Sequence, residues 1–231
     1  MQTYDLDVNG TIESMIEELT DLDLTASLIS KKERSDRVPF SMSKKTPPSY
    51  NNKVLDILYQ EITNISEDKI QVEITKNNSS KIISQIISKC SPKIRKISTN
   101  IDEDLGIFAE GLMHYLLTVS LIPSQRKISK NNIGIDIVIP DILTLNSNPK
   151  DSLILLFPKS KNENLIKKRI AESETIQPIR ENIWLILHHN LQFRNQTYLI
   201  QNDDSSLDKI LDDINKFYST KKQNKLKIMR S

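Results

Sequence analysis

Four short apolar runs in the second half of the chain, IGIDIVI (133–139), LILLF (153–157), NIWLIL (182–187) and QTYLI (196–200), constrain the fold more than any other feature. They are too short to be stable helices, and they are rich in the β-branched and aromatic residues that suit a pleated surface. Between the second and third lies NENLIKKRIAESE (162–174), a charged segment that predicts a helix. Strands interleaved with helices predict an α/β domain built on a mixed central sheet of about four strands.

The segment IDEDLGIFAEGLMHYLLTVS precedes the first strand and places Leu105, Phe108, Leu112, Leu116 and Val119 on one helical face. Glu103, Glu110 and His114 line the other face, with Ile107 and Leu117 beside them. A helix apolar almost all round is a buried helix, so it is expected against one face of the sheet, with the helix from residue 162 against the other. Upstream, KVLDILYQEI (53–62) predicts a helix, KIQVEI (69–74) a short alternating strand, and SKIISQIISK (80–89) a helix that Ser91 and Pro92 end. SLDKILDDINKFY (206–218) predicts a last helix.

Charge divides the chain further. Residues 1–30 hold seven acidic side chains and no lysine or arginine, although the net charge is +2, so the rest is basic. Ile12, Met15, Ile16 and Leu19 fall at helical spacing within that head, which predicts an acidic amphipathic helix able to dock on the basic body or in a protein partner's groove. Residues 31–52, with Pro39, Pro47 and Pro48, read as a linker. The expected organisation is an acidic helix (1–30), a linker (31–52), an α-rich segment (53–100), an α/β core (101–218) and a basic tail (219–231). In that tail Lys221, Lys222, Lys225, Lys227 and Arg230 stand without an acid among them, a composition that adds salt-sensitive phosphate contacts.

Several classes are disfavoured. The four glycines form no phosphate-cradling loop, which argues against P-loop and dinucleotide-binding proteins. No HExxH spacing joins the three histidines, and no Gly-flanked serine or histidine-paired cysteine marks a covalent hydrolase. With one cysteine, Cys90, a disulfide within the chain is impossible, in keeping with a cytoplasmic protein. No apolar run reaches the length of about 18 residues needed to span a bilayer, and the acidic start is unlike a signal peptide.

Two residues stand out in the core. Asp136 lies inside a strand, where Ile133, Ile135, Ile137 and Ile139 alternate with Gly134, Asp136 and Val138. Taken by itself it reads as an edge or strand-end residue bonded to backbone groups, because an unpaired buried carboxylate costs several kcal/mol. Lys159, taken by itself, reads as the first solvated residue after Pro158. His188 and His189 follow the third strand and are expected in a loop role, and Trp184 in the core.

The order of a helix with a glutamate, a basic connection, a strand with an internal Asp, a strand ending in Lys, a helix and further strands resembles the core of the PD-(D/E)XK, or restriction-endonuclease-like, nucleases. Archaeal Holliday junction resolvases and RecB-like nucleases are closest in layout. The likeness spans residues 103–200 and implies a restriction-endonuclease-like sheet flanked by helices, preceded by the α-rich segment. It implies a metal-dependent nuclease of DNA repair or recombination type, using Mg or Mn. In that frame AEGL supplies Glu110, GIDIVI supplies Asp136 and LFPKS supplies Lys159 as catalytic residues. Glu110 and Asp136 are the metal ligands, with Asp141 in IPD ranked behind them, while Arg126, Lys127, Lys221, Lys222 and Lys225 contact nucleic acid.

Where that pattern places Glu or Asp, this chain has Phe157. Either a carboxylate migrates into the space, from Glu110, Glu172 or Glu174, or the domain is catalytically inactive and binds nucleic acid or a protein partner. Asp151 is excluded because six strand residues put it roughly 20 Å from position 157. Asp136 and Lys159 are expected on adjacent strands, with side chains within about 10 Å of each other. A homodimer is compatible with this layout.

Overall fold

The computed structural model describes residues 50–200 and 206–228, with side chains at 53–200 and 206–219. The acidic head, most of the linker and the side chains of the basic tail lie outside the described residues. Four helices come first: α1 (Tyr50–Ile65), α2 (Glu67–Thr75), α3 (Ser79–Ile97) and α4 (Ile101–Val119). The strands β1 (Gln125–Lys130), β2 (Ile133–Ile139), β3 (Leu153–Leu156), β4 (Ile183–Leu187) and β5 (Thr197–Leu199) follow. A short α5 (Ile142–Ser147) lies between β2 and β3, α6 (Glu163–Glu174) between β3 and β4, and α7 (Ile210–Ile228) ends the described chain.

The five strands form one sheet in sequence order, β1-β2-β3-β4-β5. The first three run antiparallel to their neighbours, while β3, β4 and β5 are parallel. The expected sheet of about four strands is thus one strand short. The polar QRKISK read as a connection is β1, paired so that Lys130 faces Ile133 across a two-residue turn. Asn131 and Asn132 make that turn with φ of 52° and 62°, the left-handed pair that a tight hairpin requires and that asparagine tolerates. As a single-sided edge, β1 needs little apolar content, and its charged residues protect the edge from further pairing.

Both faces of the sheet are covered. Ile137, Ile139, Leu153, Leu155, Phe157, Trp184 and Ile186 share one core with α1, α3, α4 and the start of α7. Val138, Ile154, Leu156, Ile183 and Leu185 share the other with Ile166 and Ile170 of α6. The expected alternation of β2 holds at its end and slips at its start, since Ile135 joins the α6 core rather than that of Ile137 and Ile139. Asp136 sits at the slip.

Two expectations in the α-rich segment need correction. KIQVEI is not a strand but the body of α2, with Ile70 fully buried and Val72 exposed. Its period-2 pattern also places Ile70 and Ile74 four apart on one helical face, and Glu67 and Asp68 sit in the first turn, where carboxylates favour a helix. Nor does Pro92 end the next helix. α3 runs on to Ile97 with Pro92 inside it. Ile82, Ile83, Ile86, Ile87, Cys90 and Ile94 form one continuous buried stripe, and each such side chain stabilises by about 1.5–3 kcal/mol, enough to offset the backbone hydrogen bond that proline lacks.

Because Pro92 is exposed, it adds no packing in return for that loss. Pro92→Ala is expected to stabilise the protein by about 1–2 kcal/mol, somewhat less than the full helix-propensity difference because the unfolded chain regains freedom. Urea denaturation would show it as a higher midpoint with an unchanged slope.

Candidate functional site

Helix α4 carries Glu110 into the interior, where it is only 2% exposed. Its carboxylate is met from two other elements. Arg126 of β1 donates from Nε to Oε1 at 2.9 Å, and Lys127 Nζ lies 4.0 Å from the same oxygen. Lys159, beyond the end of β3, places Nζ 3.5 Å from Oε2. Consecutive strand residues ordinarily point to opposite faces. Lys127 has φ of 54°, and this left-handed break in the pleat lets it and Arg126 approach one carboxylate.

Gly106 explains how Lys159 gets there. It lies one turn before Glu110 on α4, and a Cβ at that position would stand 3.3 Å from Lys159 Cγ and 3.4 Å from the Pro158 carbonyl oxygen. The bare backbone lets the Pro158–Lys159 segment rest on the helix, so the lysine stem runs along α4 toward the carboxylate.

Asp136 is also buried, though less completely than Glu110. One oxygen accepts the Phe157 N–H at 2.7 Å, and the other accepts Arg169 Nη2 of α6 at 2.5 Å. Burial pushes the Asp136 carboxyl above the usual carboxylate range; Arg169 and the Phe157 N–H oppose that rise, and the negative charge of Glu110 adds to it. The two acids therefore share one electrostatic environment. The Phe157 ring is fully buried in the core under α4, so the residue offers Asp136 its backbone rather than a carboxylate.

Glu110, Asp136, Lys159, Arg126 and Lys127 are thus brought into one cluster. The neighbouring strands β2 and β3 supply Asp136 and the segment leading to Lys159. Asp141 stands apart as the N-cap of α5, where its Oδ1 accepts the Thr144 N–H at 2.7 Å. Of the two glutamates of α6, Glu174 accepts from Arg180 at 2.5 Å, while Glu172 is exposed beside Lys168 on the wall of an open cleft that Lys159 and Arg169 also line. Lys221, Lys222 and Lys225 fall on the α7 backbone, with side chains outside the described residues.

Sequence reasoning missed Arg169. The available signal was its position three residues after Ile166 and one before Ile170, the pair that α6 buries; an arginine there lies at the rim of the apolar stripe. Arg169, Lys159 and Lys168 also line an open cleft of about 300 Å³ beside the cluster. The Nε of Arg169 is buried and has no hydrogen-bond partner.

This donor set does not fit a hard divalent cation. Magnesium requires several free oxygen ligands in octahedral array, whereas both oxygens of each buried carboxylate already face an N–H or a cation. Four cationic side chains surround two acids. The excess is positive, and such a site favours an anion.

Asp136 supplies a test of the electrostatics. A carboxyl whose folded pKa lies above its unfolded value of about 3.9 contributes full stability below that value and loses it as pH rises through the folded pKa. The stability of the wild type relative to Asp136→Asn should therefore fall as pH rises from about 4 toward neutrality. Paired urea midpoints across that range measure it, and a flat difference would mean that folding leaves the ionisation of Asp136 unchanged.

No family model matches the sequence, and no curated protein matches it. Among solved structures, the chain is similar to the restriction endonuclease PspGI in its complex with substrate DNA, with a TM-score of 0.50 and 13% identity over 80% of this chain and 99% of that one. At that identity the likeness is one of architecture: a five-stranded mixed sheet, flanked by helices and preceded by a helical segment, in a restriction-endonuclease-like fold.

Proposed function

We propose that this domain binds nucleic acid by its phosphates, through Arg126, Lys127, Lys159 and Arg169, without cutting the backbone. The observation that carries the proposal is the charge balance of the cluster, where four cations converge on two buried carboxylates whose oxygens are already engaged. The adjoining cleft has Lys159, Lys168 and Arg169 on its walls against one acid, Glu172, which is paired with Lys168. A phosphate entering it meets ammonium and guanidinium groups, the donors that pair most strongly with phosphate oxygens. Phe157 adds to the same reading, since the position that resembles a nuclease ligand carries no charge. The similar fold of PspGI, seen with DNA, is a further support for a nucleic-acid partner.

A second reading, a metal-dependent nuclease of repair or recombination type, is favoured by one observation. Glu110, Asp136 and Lys159 approach each other from three separate elements. Under it, Arg169 and Arg126 release the carboxylates when substrate arrives, and Lys159 steadies the charge that builds on the phosphate.

Anisotropy with labelled single-stranded, duplex and four-way-junction DNA, in EDTA, separates the two. Binding is expected without divalent metal, and Lys127→Ala and Lys159→Ala should each weaken it and lower the log–log salt slope by up to about 0.9 on duplex DNA. Incubation with Mg²⁺ or Mn²⁺ should leave the DNA intact. Cleavage abolished by Asp136→Asn would install the nuclease reading instead, and absence of binding at about 50 mM salt would remove both.

The chain ends extend the proposal. If residues 1–30 cover the basic surface, deleting them tightens DNA binding at about 50 mM salt, and deleting residues 221–231 weakens it, with both effects shrinking near 200 mM. Unchanged affinity in both truncations would assign the acidic segment to a protein partner, through Ile12, Met15, Ile16 and Leu19.

A further inference from the structure

A second group of side chains lies where the start of α4 meets the end of β4, around a cavity that shares Pro158, Ser160 and Ile166 with the cleft beside the carboxylate cluster. Asp102 stands in the first turn of α4, and His188 and His189 follow β4 directly. One ligand atom from each of the three lies within 4.8 Å of the others, the one such grouping of metal-ligating side chains among the described residues. His189 Nε2 is 2.7 Å from Asp102 Oδ1, and the two imidazole centroids are 4.4 Å apart. His188 Nδ1 is buried with no hydrogen-bond partner among the described residues, an arrangement that proteins seldom leave uncompensated. A cavity bordered by all three residues has room for about one water-sized sphere.

We propose that Asp102, His188 and His189 form a binding site for a transition-metal ion of the zinc class. Two imidazoles and one carboxylate are the donors that zinc takes, leaving one tetrahedral position for water. Magnesium, which prefers oxygen ligands and holds its waters, is a poor match for them. The site is therefore chemically distinct from the hard-ion site that the fold resemblance implies.

The 2.7 Å contact between His189 and Asp102 is the distance of a hydrogen bond. Ligand atoms about 2.0–2.1 Å from zinc stand farther apart than 2.7 Å, so entry of the ion opens the contact between Asp102 and His189 slightly and replaces it with two coordinate bonds. The unpartnered Nδ1 of His188 shows that this imidazole has a ring nitrogen to spare. Lys161 at the cavity edge opposes a cation, which limits affinity without removing a ligand.

The consequence is structural. An ion held here would clasp the N-terminal turn of α4, the helix that carries Gly106 and Glu110, to the sheet through the residues after β4. Metal occupancy would then stiffen the platform on which the basic cluster is assembled. This inference is independent of whether the cluster binds nucleic acid.

Isothermal titration of the EDTA-stripped full chain with Zn²⁺, and optical titration with Co²⁺, test it. One ion per chain is expected, with a visible cobalt spectrum of a low-coordinate nitrogen and oxygen site and a raised melting temperature in zinc but not in magnesium. His188→Ala and His189→Ala should each weaken binding at least tenfold, while His114→Ala, the one other histidine in the sequence, should bind as the wild type does. Should an alanine variant fold poorly, Asp102→Asn and His189→Gln serve in its place, and the wild-type titration decides by itself. Absence of stoichiometric binding, or binding that survives His188→Ala/His189→Ala, would overturn the proposal.

Discussion

The buried carboxylate of Glu110 is the constraint on which the rest depends. Placing an acid in the buried middle of a helix costs several kcal/mol unless cations meet it, and α4 has no lysine or arginine to offer. Arg126 must come from β1 and Lys159 from the end of β3. Docking of α4, pairing of the edge strand and placement of the Pro158–Lys159 segment are thereby joined in one electrostatic requirement. Gly106 and the left-handed Lys127 are the backbone adjustments that let the three elements reach the same oxygens.

Asp136 obeys the same rule with different partners. It lies where β2 shifts its side chains between the two cores, and it is closed by a main-chain N–H from one direction and a guanidinium from the other. A divalent ion would have to displace Arg169 and would add charge to surroundings that are already positive. Phosphate adds charge of the opposite sign and can share the guanidinium with Asp136. In this structure each acid is paired with cations from other elements.

Much of this was legible from residue order. β2 to β5 are short, apolar and bounded by turn residues, and α4 is apolar round most of its circumference, so their types follow from local pattern alone. β1 was hidden because an edge strand buries one side only, and QRKISK carries its structural cue in Asn131 and Asn132 rather than in hydrophobic residues. α2 and the full length of α3 were misread because tertiary burial of Ile70 and Ile94 outweighs local signals. Glu110, Asp136 and Lys159 could be singled out by their position in the pattern, but nothing in a string of letters says which cation will cover which acid. Arg169 and the grouping of Asp102 with His188 and His189 arise from contacts between distant segments, 33 residues apart for Arg169 and Asp136 and 87 for His189 and Asp102.

Among the described residues β1 is held to the sheet by a single neighbour, yet it supplies Arg126. Edge strands with solvent on one side belong to the less protected part of a fold, where amides exchange through local opening rather than global unfolding. Each fraying event would withdraw the guanidinium from Glu110 and leave Lys159 as its nearest counter-charge. The cluster is thus as persistent as the sheet margin, and its charge pattern fluctuates on the timescale of that opening, long before the core itself comes apart.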